Sequence, residues 1–207
     1  MAEPAPSDVR SWRKTQRAHL LERRREMPLD SHQRANEAIL RVLRERLPPG
    51  SHGLVGCYWP FRREFDCLPY MRDVLGSGNR VALPVVVGRG QPLQFRCWTE
   101  SAAMEAGVWN IPHPAEGEPV FPSALVIPLV GFDDAGYRLG YGAGYYDLTI
   151  TGFAARPLLV GVGFEMSRLP TIHPQRYDQP MDVIITEVGT REGFPQRSCW
   201  RDPDGMA

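Results

Sequence analysis

Long apolar runs are missing from this 207-residue chain. No stretch approaches the roughly 20 residues that a membrane-crossing helix needs, so no membrane partner is expected. The start, MAEPAPSDVRSWRK, is polar and shows no apolar segment of the secretory kind. An excess of one charge is missing too. Lys+Arg and Asp+Glu number 24 each, and the net charge of +0 argues against a general nucleic-acid binder while leaving room for a local basic pocket. Cysteine is scarce: Cys57, Cys67, Cys97 and Cys199 contain no CxxC pair, so reduced buried thiols are expected rather than a disulfide or metal framework. These absences point to the cytoplasm. Internal repeats and long linkers are absent as well. A hydrophobic share of 43% and a charged share of 23% suit one globular domain.

The apolar spacing predicts a helix from about Ser11 to Met27, with Arg13, Lys14, Arg17 and Arg23 to Arg25 on its polar side. Pro28 breaks it. Asp30, with Gln33 three residues on, reads as the cap of a second helix that ends near Leu47, before Pro48-Pro49-Gly50. The runs 53–59, 80–87, 93–98, 125–130, 158–164 and 183–186 are short, apolar and strand-like, and Leu68 to Leu75 suits a helix. Helix-sized segments lie between several strands, which predicts an α/β fold: a three-layer α/β/α sandwich around a mainly parallel open sheet. Gly107 to Pro122 reads as a long surface loop, and the chain beyond Gly189 as an aperiodic tail. The domain is expected over residues 1–190, with 191–207 poorly ordered.

The most informative stretch is FDDAGYRLGYGAGYYD, Phe132 to Asp147. Closely spaced glycines let backbone N–H groups approach a phosphate without Cβ interference. Arg138 can make bidentate contacts to such an anion, and Asp147 is a hard oxygen ligand suited to the Mg²⁺ of a nucleotide. Glycine spacing alone fits a tight turn equally well. The string is neither a P-loop, since GxxxxGK[ST] is absent, nor a dinucleotide fingerprint, since the spacing differs. The loop is expected to leave the C-terminal end of a parallel strand.

The whole string RLGYGAGYYD resembles the signature of the 5-formyltetrahydrofolate cyclo-ligase family, roughly R-L-G-x-G-x-G-Y-Y-D. The resemblance runs from about Val9 to Glu187. It takes in Arg13-Lys14 and Arg17, Y-x-P-x-x-x-E at Tyr58 to Glu64, RVALP at Arg80 to Pro84, and D-x-x-x-D-x-x-x-T from Asp178 to Thr186. It implies an ATP- and Mg²⁺-dependent enzyme that phosphorylates the formyl oxygen on N5 of a reduced folate and closes the ring through N10. Such chemistry requires positioning and charge neutralisation rather than a protein nucleophile. A monomer acting on a small molecule is expected.

The resemblance also implies residue roles. Arg138 and Tyr145 are expected to be catalytic. Arg13, Lys14, Arg17 and the stretch Arg138, Leu139, Gly140, Tyr141, Gly142, Ala143, Gly144, Tyr145 and Tyr146 are expected to bind ATP. Trp59, Glu64 and Tyr141 to Tyr145 are expected to bind substrate. Asp147 and Asp182 are expected to share one cation. Blander readings stand beside these. The N-terminal arginines also fit a solvated helix face, Asp182 an ordinary capping aspartate, Glu64 a surface charge paired with Arg62 or Arg63, and Trp59 a core residue. His113 and His173 are read as structural or incidental.

The sequence departs from the family pattern at Cys67, Asn110, His113, Ala143, Leu148, Gln175 and Tyr177, mostly on the side expected to face folate. Three functions stay open on this reading: folate cyclo-ligase, an ATP-dependent paralogue for another N-formyl or amide compound, and a non-catalytic nucleotide- or folate-binding protein.

Overall fold

The computed structural model describes residues 6–194. Two helices come first, α1 (Pro6–Glu26) and α2 (Leu29–Arg46). Pro28 occupies the cap position of α2 with an extended backbone, φ −56° and ψ 145°. The expected Asp30 cap is therefore corrected. Asp30 lies inside the first turn, where it complements the helix dipole and pairs with Arg34 at 2.9 Å, while Gln33 donates to Glu37. Ala35, Ile39 and Leu43, four residues apart, form the buried stripe of α2.

Then follow β1 (Leu54–Gly56), α3 (Leu68–Gly76), β2 (Arg80–Val85), β3 (Gln94–Trp98), β4 (Met104–Ala106), β5 (Pro112–Pro114) and β6 (Ala124–Pro128). The chain continues through β7 (Gly131–Asp133), β8 (Arg138–Leu139), α4 (Tyr145–Thr151), β9 (Leu158–Val162), β10 (Arg168–Leu169), β11 (Val183–Thr186) and β12 (Gly189–Glu192). The main sheet has seven strands in the order β12-β11-β9-β6-β1-β2-β3. The five inner strands are parallel, and β3 and β12 close the edges antiparallel.

The pleat explains the apolar runs. Val55, Val81, Val126 and Val160 face a core shared with α2 and α3, while Leu54, Ala82, Leu125 and Leu159 face a second core that includes Ile150 of α4. The three-layer expectation holds, with one short helix and connecting segments forming the thinner layer. The crossover from β1 to β2 runs through α3 on one face, and that from β6 to β9 carries α4 on the other. The neighbours β1 and β6 therefore flank a topological switch point, where a crevice opens beyond the strand ends.

Three expectations change. The segment after Gly107 is not wholly loop, because β5 pairs with β4 in a two-stranded sheet. The chain beyond Gly189 does not fray at once: β12 pairs along β11, and Glu192 binds Arg46 of α2. Residues 195–207, the rest of the expected tail, lie outside the described residues, as does Cys199. Lastly, the Gly-rich loop leaves β8, the return strand of a hairpin with β7, and not a parallel strand. Buried Asp133 makes that hairpin by accepting the N–H groups of Ala135 (3.1 Å) and Tyr137 (3.0 Å), and it ties in Ile172 N at 2.9 Å.

Candidate functional site

A cavity of about 740 Å³ occupies the switch point. Tyr58 and Trp59 enter it after β1, Pro128 from the end of β6, and the loop after β8 forms one wall. Helix α1 lies alongside. Arg13 and Arg17 are four residues apart and so share one helix face, and both line the cavity. Arg13 is held fast: its Nε donates to Ile172 O at 2.9 Å, Nη2 donates to His173 O at 2.9 Å, and the guanidinium pairs with Asp178. Arg17 donates through Nε to Gly140 O at 2.7 Å and, among the described residues, makes no ion pair. Burial, aided by the nearby Arg13 charge, pulls its pKa below the ordinary arginine value. The one carboxylate that acts on it, Asp178, raises the value only in part and is itself paired with Arg13, and a partly desolvated cation so placed is stabilised by an anionic ligand. Lys14 is corrected: it lies exposed and off the cavity, since one residue along a helix turns the side chain by about 100°.

Arg138 of β8 is buried. Its Nη2 lies 2.8 Å from Asp147 Oδ1, and its Nη1 donates to Gln179 O at 3.0 Å. The same Asp147 oxygen accepts Gln179 N–H at 3.0 Å. Between Arg138 and Asp147 the loop turns through Gly142 (φ 103°) and Gly144 (φ 71°), backbone conformations that side-chain-bearing residues avoid. Leu139, Gly140, Tyr141, Ala143, Tyr145 and Tyr146 line the same wall.

Glu64 sits opposite, 6% exposed. Its Oε2 accepts Phe61 N–H and its Oε1 accepts the Tyr141 hydroxyl, both at 2.9 Å. Burial pushes its carboxyl up to about 7, against the smaller downward pull of Arg24, Phe61 N–H, Tyr141 and Arg62. The surface-charge reading of Glu64 is thereby excluded. Arg63 instead reaches back to the end of α1, donating to Arg25 O at 2.6 Å and Met27 O at 2.7 Å, which anchors the loop that carries Phe61 and Glu64. Trp59 is half-buried; it packs edge-on against Trp98 at 6.3 Å and also faces the cavity, so both of its readings apply.

The rim holds residues that pattern reasoning missed. The Phe61 and Trp109 rings are nearly parallel, 6.5 Å apart, and Tyr141 tilts against both at 6.2 and 5.6 Å. Trp109 and Asn110 hold left-handed backbones, φ 57° and 61°. His113, read as incidental, also lines the cavity. Isolated aromatics on loops carry no periodicity, so only the neighbouring departures at Asn110 and His113 marked this stretch.

Asp182 is corrected as a metal ligand. It does not line the cavity. Arg156 Nη1 binds both of its oxygens at 2.8 Å, and Oδ2 also accepts Leu159 N–H at 2.8 Å. Its work is to tie the start of β11 to β9. Among the described residues no group of three His, Cys, Asp or Glu could hold a metal ion, so a cation here must take most of its ligands from elsewhere. Asp147 lines the cavity; its Oδ1 serves Arg138 and Gln179, and a carboxylate so placed can offer its Oδ2 to a hard cation. No helix among the described residues is long and apolar enough to cross a membrane.

Residues 9–187 match the model of the 5-formyltetrahydrofolate cyclo-ligase family. The 5-formyltetrahydrofolate cyclo-ligase of Mycolicibacterium smegmatis is 29% identical over 184 residues, covering 82% of this chain and 91% of that protein. The enzyme of the same name from Escherichia coli K12 is 28% identical over 142 residues, 64% of this chain and 76% of that one. Among solved structures, 5,10-methenyltetrahydrofolate synthetase of Aquifex aeolicus superposes with a TM-score of 0.76 at 28% identity, covering 94% of this chain and 99% of that one. A synthetase of the same name from Mycoplasma pneumoniae shares the fold, with a TM-score of 0.71 at 19% identity over 84% of this chain and 98% of that one.

Proposed function

The chain belongs to the 5-formyltetrahydrofolate cyclo-ligase family, and from that premise we propose that it converts 5-formyltetrahydrofolate to 5,10-methenyltetrahydrofolate with ATP and Mg²⁺. One observation carries the nucleotide half of this reading. Arg17, partly desolvated and in no ion pair among the described residues, lies against the glycine loop in the cavity that buried Arg138 also lines. That arrangement calls for a polyanion.

The formyl oxygen is a poor leaving group until a phosphoryl group is placed on it, after which N10 attacks the formyl carbon, N10 loses its proton and phosphate departs. Mg²⁺ neutralises phosphate charge in such a transfer. The chain supplies the positions. Arg17 and Arg138 face the phosphates, the exposed backbone of Gly142 to Gly144 allows close approach, and Asp147 holds the cation. On the other side Phe61, Trp109 and Tyr141 offer flat faces to a heterocycle. Glu64 accepts hydrogen bonds from the ring's N–H edge, while its burial beside these aromatics keeps water away.

The direct test is the absorbance of the methenyl product from 5-formyltetrahydrofolate with ATP and Mg²⁺. Product formation that requires both supports the reading. A chain that binds both ligands and gives no product overturns it.

A further inference from the structure

The first variable position of the R-L-G-x-G-x-G-Y-Y-D pattern is Tyr141, and its side chain reaches across the cavity. Its hydroxyl donates to Glu64 Oε1 at 2.9 Å, and its ring meets Trp109 and Phe61. On the near side, Arg17 Nε donates to Gly140 O. Among the described residues these two side chains, Arg17 and Tyr141, make the hydrogen bonds that tie Gly140 to Ala143 to the rest of the fold. The loop is otherwise loose: Gly142, Ala143 and Gly144 are exposed, and a Cβ placed on Gly140 or Gly144 would meet nothing within 4 Å.

We propose that the Tyr141–Glu64 hydrogen bond couples the two halves of the cavity, so that a folate on the aromatic side orders the glycine loop and raises its affinity for the nucleotide. This rests on the two-ligand reading given above. The physical reason is the ordering cost of the loop. A flat ring lodged among Phe61, Trp109 and Tyr141 immobilises Tyr141, and with its hydroxyl held by Glu64 the loop cannot swing out. The nucleotide then meets a loop already in place and bears less of that cost. Linkage requires the reverse effect to be equal. Phenylalanine at 141 keeps the ring and removes the link, so Tyr141 acts as a positioning residue.

The test is calorimetric titration with the Mg²⁺ complex of β,γ-imido-ATP, alone and with saturating 5-formyltetrahydrofolate. The quantity read is the ratio of the two dissociation constants, each protein against itself. The wild-type ratio is expected at about fivefold or more, the low end of ordinary coupling between sites. Tyr141→Phe should bring it below about twofold, and hydrogen exchange at the Gly140 to Gly144 amides should lose its protection by folate alone. A Tyr141→Phe protein that keeps the wild-type ratio, or a wild-type ratio of one with both ligands bound, overturns the coupling and leaves the functional reading intact. A wild-type chain that fails to bind one or both ligands overturns both.

Discussion

Arg138 and Asp147 stand at opposite ends of the glycine turn, yet Arg138 Nη2 lies 2.8 Å from Asp147 Oδ1, with the Gln179 backbone joining both. The pair shapes the loop as well as the charge. Arg138 is 7% exposed, so its loss is felt in folding too. Arg138→Ala should lower stability by about 3 kcal/mol, the usual result of removing one partner of a buried pair. Arg138→Lys keeps the charge but not the fork. It should melt near wild type while kcat falls on the order of 100-fold, as for loss of one positioned donor. Thermal unfolding and steady-state rates on the two variants check this split.

Glu64 makes stability depend on pH. Its unfolded carboxyl ionises near 4.5 and the folded one near 7. Between these values the folded state binds more protons, so this contribution to stability is complete below 4.5 and is lost as pH rises through 7. The shift corresponds to on the order of 3 kcal/mol. Urea unfolding at pH 5 and 7.5 should therefore show the wild type losing about 2–3 kcal/mol more than Glu64→Gln over that interval. Parallel pH dependence in the two proteins would show that Glu64 is ionised in the fold at both values.

Gly140 and Gly142 separate ligand approach from backbone strain. At Gly142 the backbone has φ 103°, and an added Cβ would sit 3.2 Å from Arg17 Cζ. Gly142→Ala should cost about 1–2 kcal/mol of stability and displace Arg17. Gly140→Ala meets nothing within 4 Å and should fold like wild type. If phosphate lies on this loop, the Gly140 Cβ obstructs it, and nucleotide affinity falls without a change in melting temperature. Unaltered nucleotide binding in Gly140→Ala would place the phosphates elsewhere.

The inner strands were legible because β-branched runs such as LVIPLV and VIIT have few other places to go. The strand order that creates the switch point, and with it the cavity, is seen only in the structure. Other features depend on contacts remote in sequence. The β7–β8 hairpin follows from Asp133 accepting three backbone N–H groups, one of them at Ile172. The burial of Glu64 follows from Arg63 binding the end of α1 and from Tyr141 arriving across the cavity. Phe61 and Trp109 are loop aromatics without periodicity. The metal role expected of Asp182 follows from the resemblance of its D-x-x-x-D-x-x-x-T stretch to the family pattern, while Arg156 and Leu159, which bind its oxygens, leave no local trace in the sequence.

That difference between the two aspartates can be tested through the cation. Asp147 lines the cavity and has an oxygen to spare, whereas Asp182 spends both on Arg156 and Leu159. Asp147→Asn still accepts the Gln179 N–H but loses the charge that attracts Mg²⁺. The Mg²⁺ concentration for half-maximal turnover should rise at least about tenfold, in line with losses at weakened metal sites. Asp182→Asn leaves the Arg156 guanidinium with a neutral partner at a partly exposed site. It should lower the melting temperature modestly, since such pairs contribute up to about 1 kcal/mol, and leave the Mg²⁺ requirement where it was. A Mg²⁺ shift in Asp182→Asn with none in Asp147→Asn would reverse the assignment and place the cation at the start of β11.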